Sequence, residues 1–182
     1  RQMCIRDSVS SMATDDGSCC IIEVMGRAAG WIAAGTVLAK EQPNDPPHII
    51  LLPEIAFDEA KFLARVKKVV DTSGCCVVVV GEGLKDAEGN EIGADNSRLD
   101  AFGHPVLAGA ADRLAEIVEP ALNLKTRTVK LGYAQRAAAH YASQTDVDEA
   151  FTCGTAAVQA AVQVQSVYKV KLVRESEEPY RW

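Results

Sequence analysis

The segment Ile21-Ile22-Glu23-Val24-Met25-Gly26-Arg27-Ala28-Ala29-Gly30-Trp31 carries the densest chemical signal in the chain, because an apolar strand runs straight into a glycine, an arginine and then a helix. In α/β proteins this arrangement builds an anion site: backbone N–H groups at a helix start point beyond the strand end, and the helix dipole favours negative charge there. Arg27 adds a cation whose planar fork fits phosphate oxygens. The same residues also suit a tight turn whose glycine only lets helix and strand approach. Two more polar groups follow apolar runs in the same way, Glu82 after residues 75–80 and Tyr133-Ala134-Gln135-Arg136 after a run that starts at Thr128. Ligands of parallel sheets collect beyond the carboxyl ends of the strands. Guanidiniums for phosphate and a carboxylate accepting from hydroxyls together suit a sugar phosphate. Arg127, near the start of the last of these strands, would serve a different edge or a neighbouring subunit. Taken singly, Arg27 and Arg136 read equally well as surface cations worth about 0–1 kcal/mol each, and Glu82 as an acceptor for its own turn. The chemistry therefore depends on these groups meeting in space.

Short apolar runs alternate with longer helical patterns from Cys19 onward, which predicts an α/β fold with a mostly parallel sheet and flanking helices. Strands are expected at 19–24, 48–52, 75–80 and 128–133, with a last one at 166–173. The run at 75–80, bounded by Gly74 and Gly81, reads as a central strand covered on both faces. Helices are expected at 30–40, 58–70, from Pro105 to about Ala121, and from Asp146 to about Gln163. Residues 86–100, polar and glycine-bearing, read as a hairpin or surface excursion. Residues 1–18 match no pattern that follows and are set aside as an irregular or foreign leader, leaving one domain over 19–182.

Composition narrows the partners. A net charge of −6 excludes a general nucleic-acid or anionic-membrane surface, so an anion must be held by a few placed basic residues. The longest strongly apolar run is far too short to cross a bilayer. None of the six cysteines forms a C-x-x-C pair or has histidine at zinc-ligand spacing, and two adjacent pairs sit inside strand-like runs. They read as small buried hydrophobes of a reducing, cytoplasmic setting. His48, His104 and His140 are scattered and read as structural. Neither G-x-G-x-x-G nor G-x-x-x-x-G-K-[ST] occurs, which disfavours a self-contained dinucleotide or P-loop site.

The order of the strand ends resembles the phosphofructokinase family: Val24-Met25-Gly26-Arg27 with Gly30-Trp31, then Pro53-Glu54, then Gly81-Glu82-Gly83, then Leu131-Gly132-Tyr133-Ala134-Gln135-Arg136. The similarity runs from about Cys19 to about Val164, and V-M-G-R-x-x-G is specific to these enzymes. It implies a Rossmann-like half of the family fold and phosphoryl transfer from pyrophosphate or ATP, with Mg²⁺, to the 1-hydroxyl of fructose 6-phosphate in glycolysis. It further implies that Met25, Gly26 and Arg27 touch the substrate, with Arg27 also near the transferring phosphoryl group as the one catalytic residue of this chain. Glu82 is similar to the family's glutamate that binds sugar hydroxyls. Arg127 is similar to an arginine that reaches the 6-phosphate, often from the next subunit of a homo-oligomer. Tyr133, Gln135 and Arg136 are similar to the segment that closes around that phosphate, although many members have histidine where Tyr133 stands. Ala29-Gly30-Trp31, Asp45-Pro46-Pro47-His48 and Leu52-Pro53-Glu54 look more like the pyrophosphate-dependent branch.

The family's glycine-rich donor loop, its magnesium aspartate and the T-[IV]-D-N-D segment holding its base would precede Cys19 and have no match there, so no metal ligand is expected within this sequence. The chain thus reads as the substrate-binding part of a phosphofructokinase. Two rivals keep the same residues: a non-catalytic sugar-phosphate-binding or regulatory α/β domain, and an unrelated oxidoreductase using the glycine turn for a nucleotide. Phosphoryl transfer needs metal, donor cradle and base held together. The 182-residue chain by itself is therefore expected to bind sugar phosphate weakly and to produce no appreciable fructose 1,6-bisphosphate, and robust turnover in a coupled assay would refute that reading.

Overall fold

A computed structural model describes residues 17–99, 105–107, 109–163 and 169–182. Two compact units divide at Gln135 and Arg136. In the first, strand β1 (Ser18–Val24) is followed by a short helix α1 (Trp31–Gly35), which tightens into a 3₁₀ turn at Thr36–Ala39. Then come strand β2 (Ile49–Leu51), helix α2 (Glu59–Ser73) and strand β3 (Cys75–Gly81). A ribbon of β4 (Ala94–Leu99) and β5 (Pro105–Leu107) precedes helix α3 (Ala110–Leu122) and strand β6 (Lys125–Lys130). The main sheet is parallel in the order β2-β3-β1-β6, so the expected α/β class and the central place of residues 75–80 are observed.

Side chains alternate across a strand with period two, and the two faces of β1 and β3 show it. Cys19, Ile21, Cys76, Val78 and Val80 face α2 and α3, meeting Phe62, Val66, Leu114 and Val118. Cys20, Ile22, Val24, Cys75, Val77 and Val79 face the α1 side, meeting Ala33 and Ala39. Each fully buried valine of β3 contributes on the order of 1.5–3 kcal/mol relative to exposure. Cys19 lies opposite Cys76 on the adjacent strand. Burial raises the Cys20 thiol to about 11, and burial likewise raises Cys75, while the Cys19 contact and burial raise Cys76; these thiols stay protonated and act as packing groups. Helix α2 begins where the Asp58 side chain accepts from the Lys61 N–H at 3.0 Å and stops at Gly74, which is left-handed.

Three expected boundaries move. The third helix starts at Ala110 rather than Pro105, because the Glu23 carboxylate, 88 residues earlier, accepts from the Ala111 N–H at 2.9 Å and fixes the first turn there. Pro105 opens the short strand β5 instead. The strand expected at 128–133 runs at Lys125–Lys130, since Asn123 takes a left-handed conformation that ends α3 and Gly132, also left-handed, turns the chain after Leu131. Its alternating Lys, Thr and Arg hide it from an apolar-run test. Of the strand expected at 166–173, residues 169–173 are not strand, and 166–168 lie outside the described residues, as do 1–16 of the expected leader; Ser18 already belongs to β1. The hairpin expected at 86–100 is present as a turn closed by pairing of Lys85 with Glu91, followed by β4.

The second unit, Arg136–Trp182, holds a 3₁₀ turn at Ala139–Tyr141, helix α4 (Gln144–Val162) capped by the Ser143 side chain, and a small hairpin of β7 (Ser176–Glu177) and β8 (Tyr180–Arg181). The Tyr180 hydroxyl donates to Glu149, and the Arg174 guanidinium lies over the Tyr180 ring.

His48 joins β2 to β3: its backbone N–H donates to the Val77 carbonyl and its Nδ1 accepts from the Val77 N–H, each at 2.9 Å. An accepting Nδ1 means a neutral ring, and burial with the nearby Lys40 cation lowers the His48 pKa below 6.5. The unfolded chain therefore takes up a proton first as pH falls, so this contribution to stability is complete above about 6.5 and lost as pH drops toward the lower folded value. Denaturant unfolding at successive pH values should show less loss of stability between pH 6.5 and 5 in His48→Asn, whose amide oxygen can replace the Nδ1 acceptor, than in the parent; equal slopes would contradict the assignment.

Candidate functional site

Parallel pairing in register sets Val24 opposite Gly81 and Glu23 opposite Lys130, so the residues that follow β1, β3 and β6 emerge at one edge of the sheet. Ile50 opposite Val79 brings the exit of β2 to the same edge. There the segment after β1 is held by one residue from beyond the end of each of the other three strands. The Met25 N–H donates to Gln135 Oε1 at 2.8 Å, the Gly26 N–H to Glu82 Oε1 at 3.3 Å, and the Gly30 N–H to Glu54 Oε1 at 2.7 Å. Glu82 returns its own N–H to the Val24 carbonyl at 3.0 Å. Arg27 donates from Nε and Nη2 to the two carboxylate oxygens of Glu91, each at 3.0 Å.

Backbone shape explains why glycines flank these residues. Gly26 has φ +132, outside the range L side chains favour, and a Cβ there would lie 2.5 Å from the Ala29 carbonyl oxygen. At Gly83 a Cβ would fall 1.8 Å from the Arg27 carbonyl oxygen, so the exits of β1 and β3 touch backbone to backbone. That contact seats Glu82 against the Gly26 N–H.

The structure thus brings Met25, Gly26, Arg27, Glu82 and Gln135 together. Tyr133 lies in the same 3₁₀ turn as Gln135, Gly132–Gln135, and is 77% exposed. Arg127 pairs with Cys20, four positions before the end of β1, which sets it about 13 Å back along the strand and away from this edge. Arg136 follows Gln135 in sequence and opens the second unit. At the start of the expected 30–40 helix the Gly30 N–H donates to the protein's own Glu54 carboxylate, and α1 is only five residues long. Two acceptors were not singled out as site residues from sequence. Glu54 could have been found from its place just past a strand end; Glu91 sits in a polar hairpin and carries no local signal. Among the described residues no group of three or more His, Cys, Asp or Glu side chains is placed to hold a metal ion.

The arrangement is an electrostatically mixed strand-end cradle, three carboxylates and an amide around one loop and one guanidinium, suited to a ligand bearing both hydroxyls and an anion. A family model described as phosphofructokinase matches residues 2–161. The chain belongs to the phosphofructokinase family. Among curated relatives, the pyrophosphate--fructose 6-phosphate 1-phosphotransferase of Xanthomonas campestris is 44% identical over 174 residues, covering 96% of this chain and 42% of the relative. Its namesake from Halomonas elongata is 43% identical over 174 residues, covering 96% of this chain and 41% of the relative. The crystal structure of a pyrophosphate-dependent phosphofructokinase from Marinobacter aquaeolei matches with a TM-score of 0.71 and 39% identity, over 100% of this chain and 41% of that one. The chain therefore spans about two fifths of the length of these phosphofructokinases.

Because nothing but backbone opposes a side chain at Gly83, Gly83→Ala should force the exits of β1 and β3 apart and cost about 3 kcal/mol or more. A lower denaturant midpoint with an unchanged m-value is the expected result, and an unshifted midpoint would show that the two backbones do not touch as described.

Proposed function

We propose that this segment supplies the sugar-phosphate-holding part of a pyrophosphate-dependent phosphofructokinase, which transfers a phosphoryl group to the 1-hydroxyl of fructose 6-phosphate. The observation that carries the reading is the meeting of Met25-Gly26-Arg27, Glu82 and Gln135 at the carboxyl edge of a parallel sheet, in a chain of this family. In this reading Glu82 accepts from sugar hydroxyls while gripping the Gly26 N–H, and Arg27 offsets charge on the transferring phosphoryl group. Tyr133, Gln135 and Arg136 close on the 6-phosphate, and Arg127, set back from the edge, serves a neighbouring subunit of a homo-oligomer. The names of the relatives that are 43% and 44% identical support pyrophosphate over ATP as donor.

Mg²⁺ belongs to the proposal through the family, since a divalent ion would shield the charges of the donor phosphates. The described residues do not fit it: Glu54, Glu82 and Glu91 each hold an N–H or a guanidinium, so no step is assigned to a metal on these residues. A cytoplasmic setting accords with the free, buried thiols of Cys19, Cys20, Cys75 and Cys76. No helix among the described residues is long and apolar enough to cross a membrane.

The test uses the enzyme expressed from the complete reading frame containing this segment, assayed for fructose 1,6-bisphosphate with each donor. Pyrophosphate should sustain turnover well above ATP. Glu82→Ala should raise KM for fructose 6-phosphate by about 10- to 100-fold, the value of a hydrogen bond to a charged group. Binding of fructose 6-phosphate without turnover on either donor would instead establish a non-catalytic sugar-phosphate-binding domain.

A further inference from the structure

The Arg27–Glu91 pair combines long range with two-pronged geometry. Lys61–Asp58, Lys67–Asp71, Arg113–Glu116 and Arg174–Glu177 join residues three or four apart, and Lys130–Asp112 joins two elements through a single ammonium, whereas Arg27 and Glu91 are 64 residues apart and meet fork to fork. The Glu91 side chain is only 13% exposed, against 41% for Arg27, so the carboxylate is the better buried and more fixed member.

Its backbone is fixed as well. Glu91 pairs with Lys85 across a turn in which Asp86 accepts from both the backbone and the side-chain N–H groups of Asn90, at 2.8 and 3.0 Å. Ile92 donates to the Leu84 carbonyl at 2.8 Å, and Leu84, fully buried in the core, donates to the Gly81 carbonyl at 3.2 Å. The hairpin is thereby anchored to the exit of β3, the same exit that presents Glu82.

We propose that Glu91 is a positioning residue, whose carboxylate sets the plane and reach of the Arg27 guanidinium toward the phosphoryl group. The inference rests on the reading of Arg27 given above. A free arginine side chain samples many rotamers, and its charge helps a transition state only when its donors already lie where the charge develops. Glu91 engages Nε and one Nη2 hydrogen, and since the guanidinium is rigid and planar, those two bonds fix the direction of its other donors too. A carboxylate in that position also lowers the net charge seen by a polyanionic substrate, so orientation and competition make opposite predictions.

The experiment compares Glu91→Ala, Glu91→Gln, Arg27→Lys and the double variant Arg27→Lys/Glu91→Ala in the enzyme from the complete reading frame, with thermal unfolding confirming that each folds. Glu91→Ala should lower kcat by about 10- to 100-fold while KM for fructose 6-phosphate changes less than about threefold. Glu91→Gln, which keeps the shape and one acceptor, should recover part of the loss. In the Arg27→Lys background, where no fork exists to orient, Glu91→Ala should have little further effect. An equal loss in both backgrounds would overturn the proposal in favour of a role in folding, and tighter substrate binding with undiminished kcat in Glu91→Ala would overturn it in favour of a competing anion. Unaltered kinetics in Arg27→Lys, with Glu91→Ala still impaired, would instead sink the reading of Arg27 itself and the role of Glu91 with it.

Discussion

The in-register parallel pairing of β1 between β3 and β6 is the constraint on which the rest depends. A parallel ladder aligns chain directions, so every strand ends at the same edge and whatever follows each strand is delivered there together. Packing secures the register, because a slip of one residue would exchange the set that meets α2 and α3 with the set that meets the α1 side, putting Cys20 and Ile22 where Cys19 and Ile21 fit against Phe62 and Leu114. The hydrophobic core thus fixes, at a distance, where Glu82 meets Gly26.

At that edge three N–H groups of the loop after β1 already have acceptors within the protein. Met25, Gly26 and Gly30 each give their N–H to a side chain carried by a different strand exit. Half-buried N–H groups are costly to leave unmade, and carboxylates are strong acceptors for them. This wiring ties the loop to three strand exits and commits those three N–H groups to the protein itself.

The parts legible in the sequence were those whose signal is local. The six β-favouring residues before Gly81 read as a buried strand because burial on both faces removes alternation, and the apolar spacing after Asp58 reads as a helix, although Gly74, which stops that helix, signals in the sequence only the start of the next strand. Met25-Gly26-Arg27 and Glu82 were found because they stand immediately after apolar runs, and Gln135 through the family pattern. What escaped was set by distant residues. The start of α3 follows from Glu23 on another element, the bounds of β6 shift because its Lys, Thr and Arg alternate, and Glu91 gains meaning only when its hairpin folds back onto Arg27. A hydrogen bond across tens of residues leaves no periodicity to read.

Of the two outer strands of this sheet among the described residues, β6 carries Lys125, Arg127 and Lys130 within six largely exposed residues. An outer strand is a template on which another chain can add by hydrogen bonding, and cations there repel a second copy presenting the same margin.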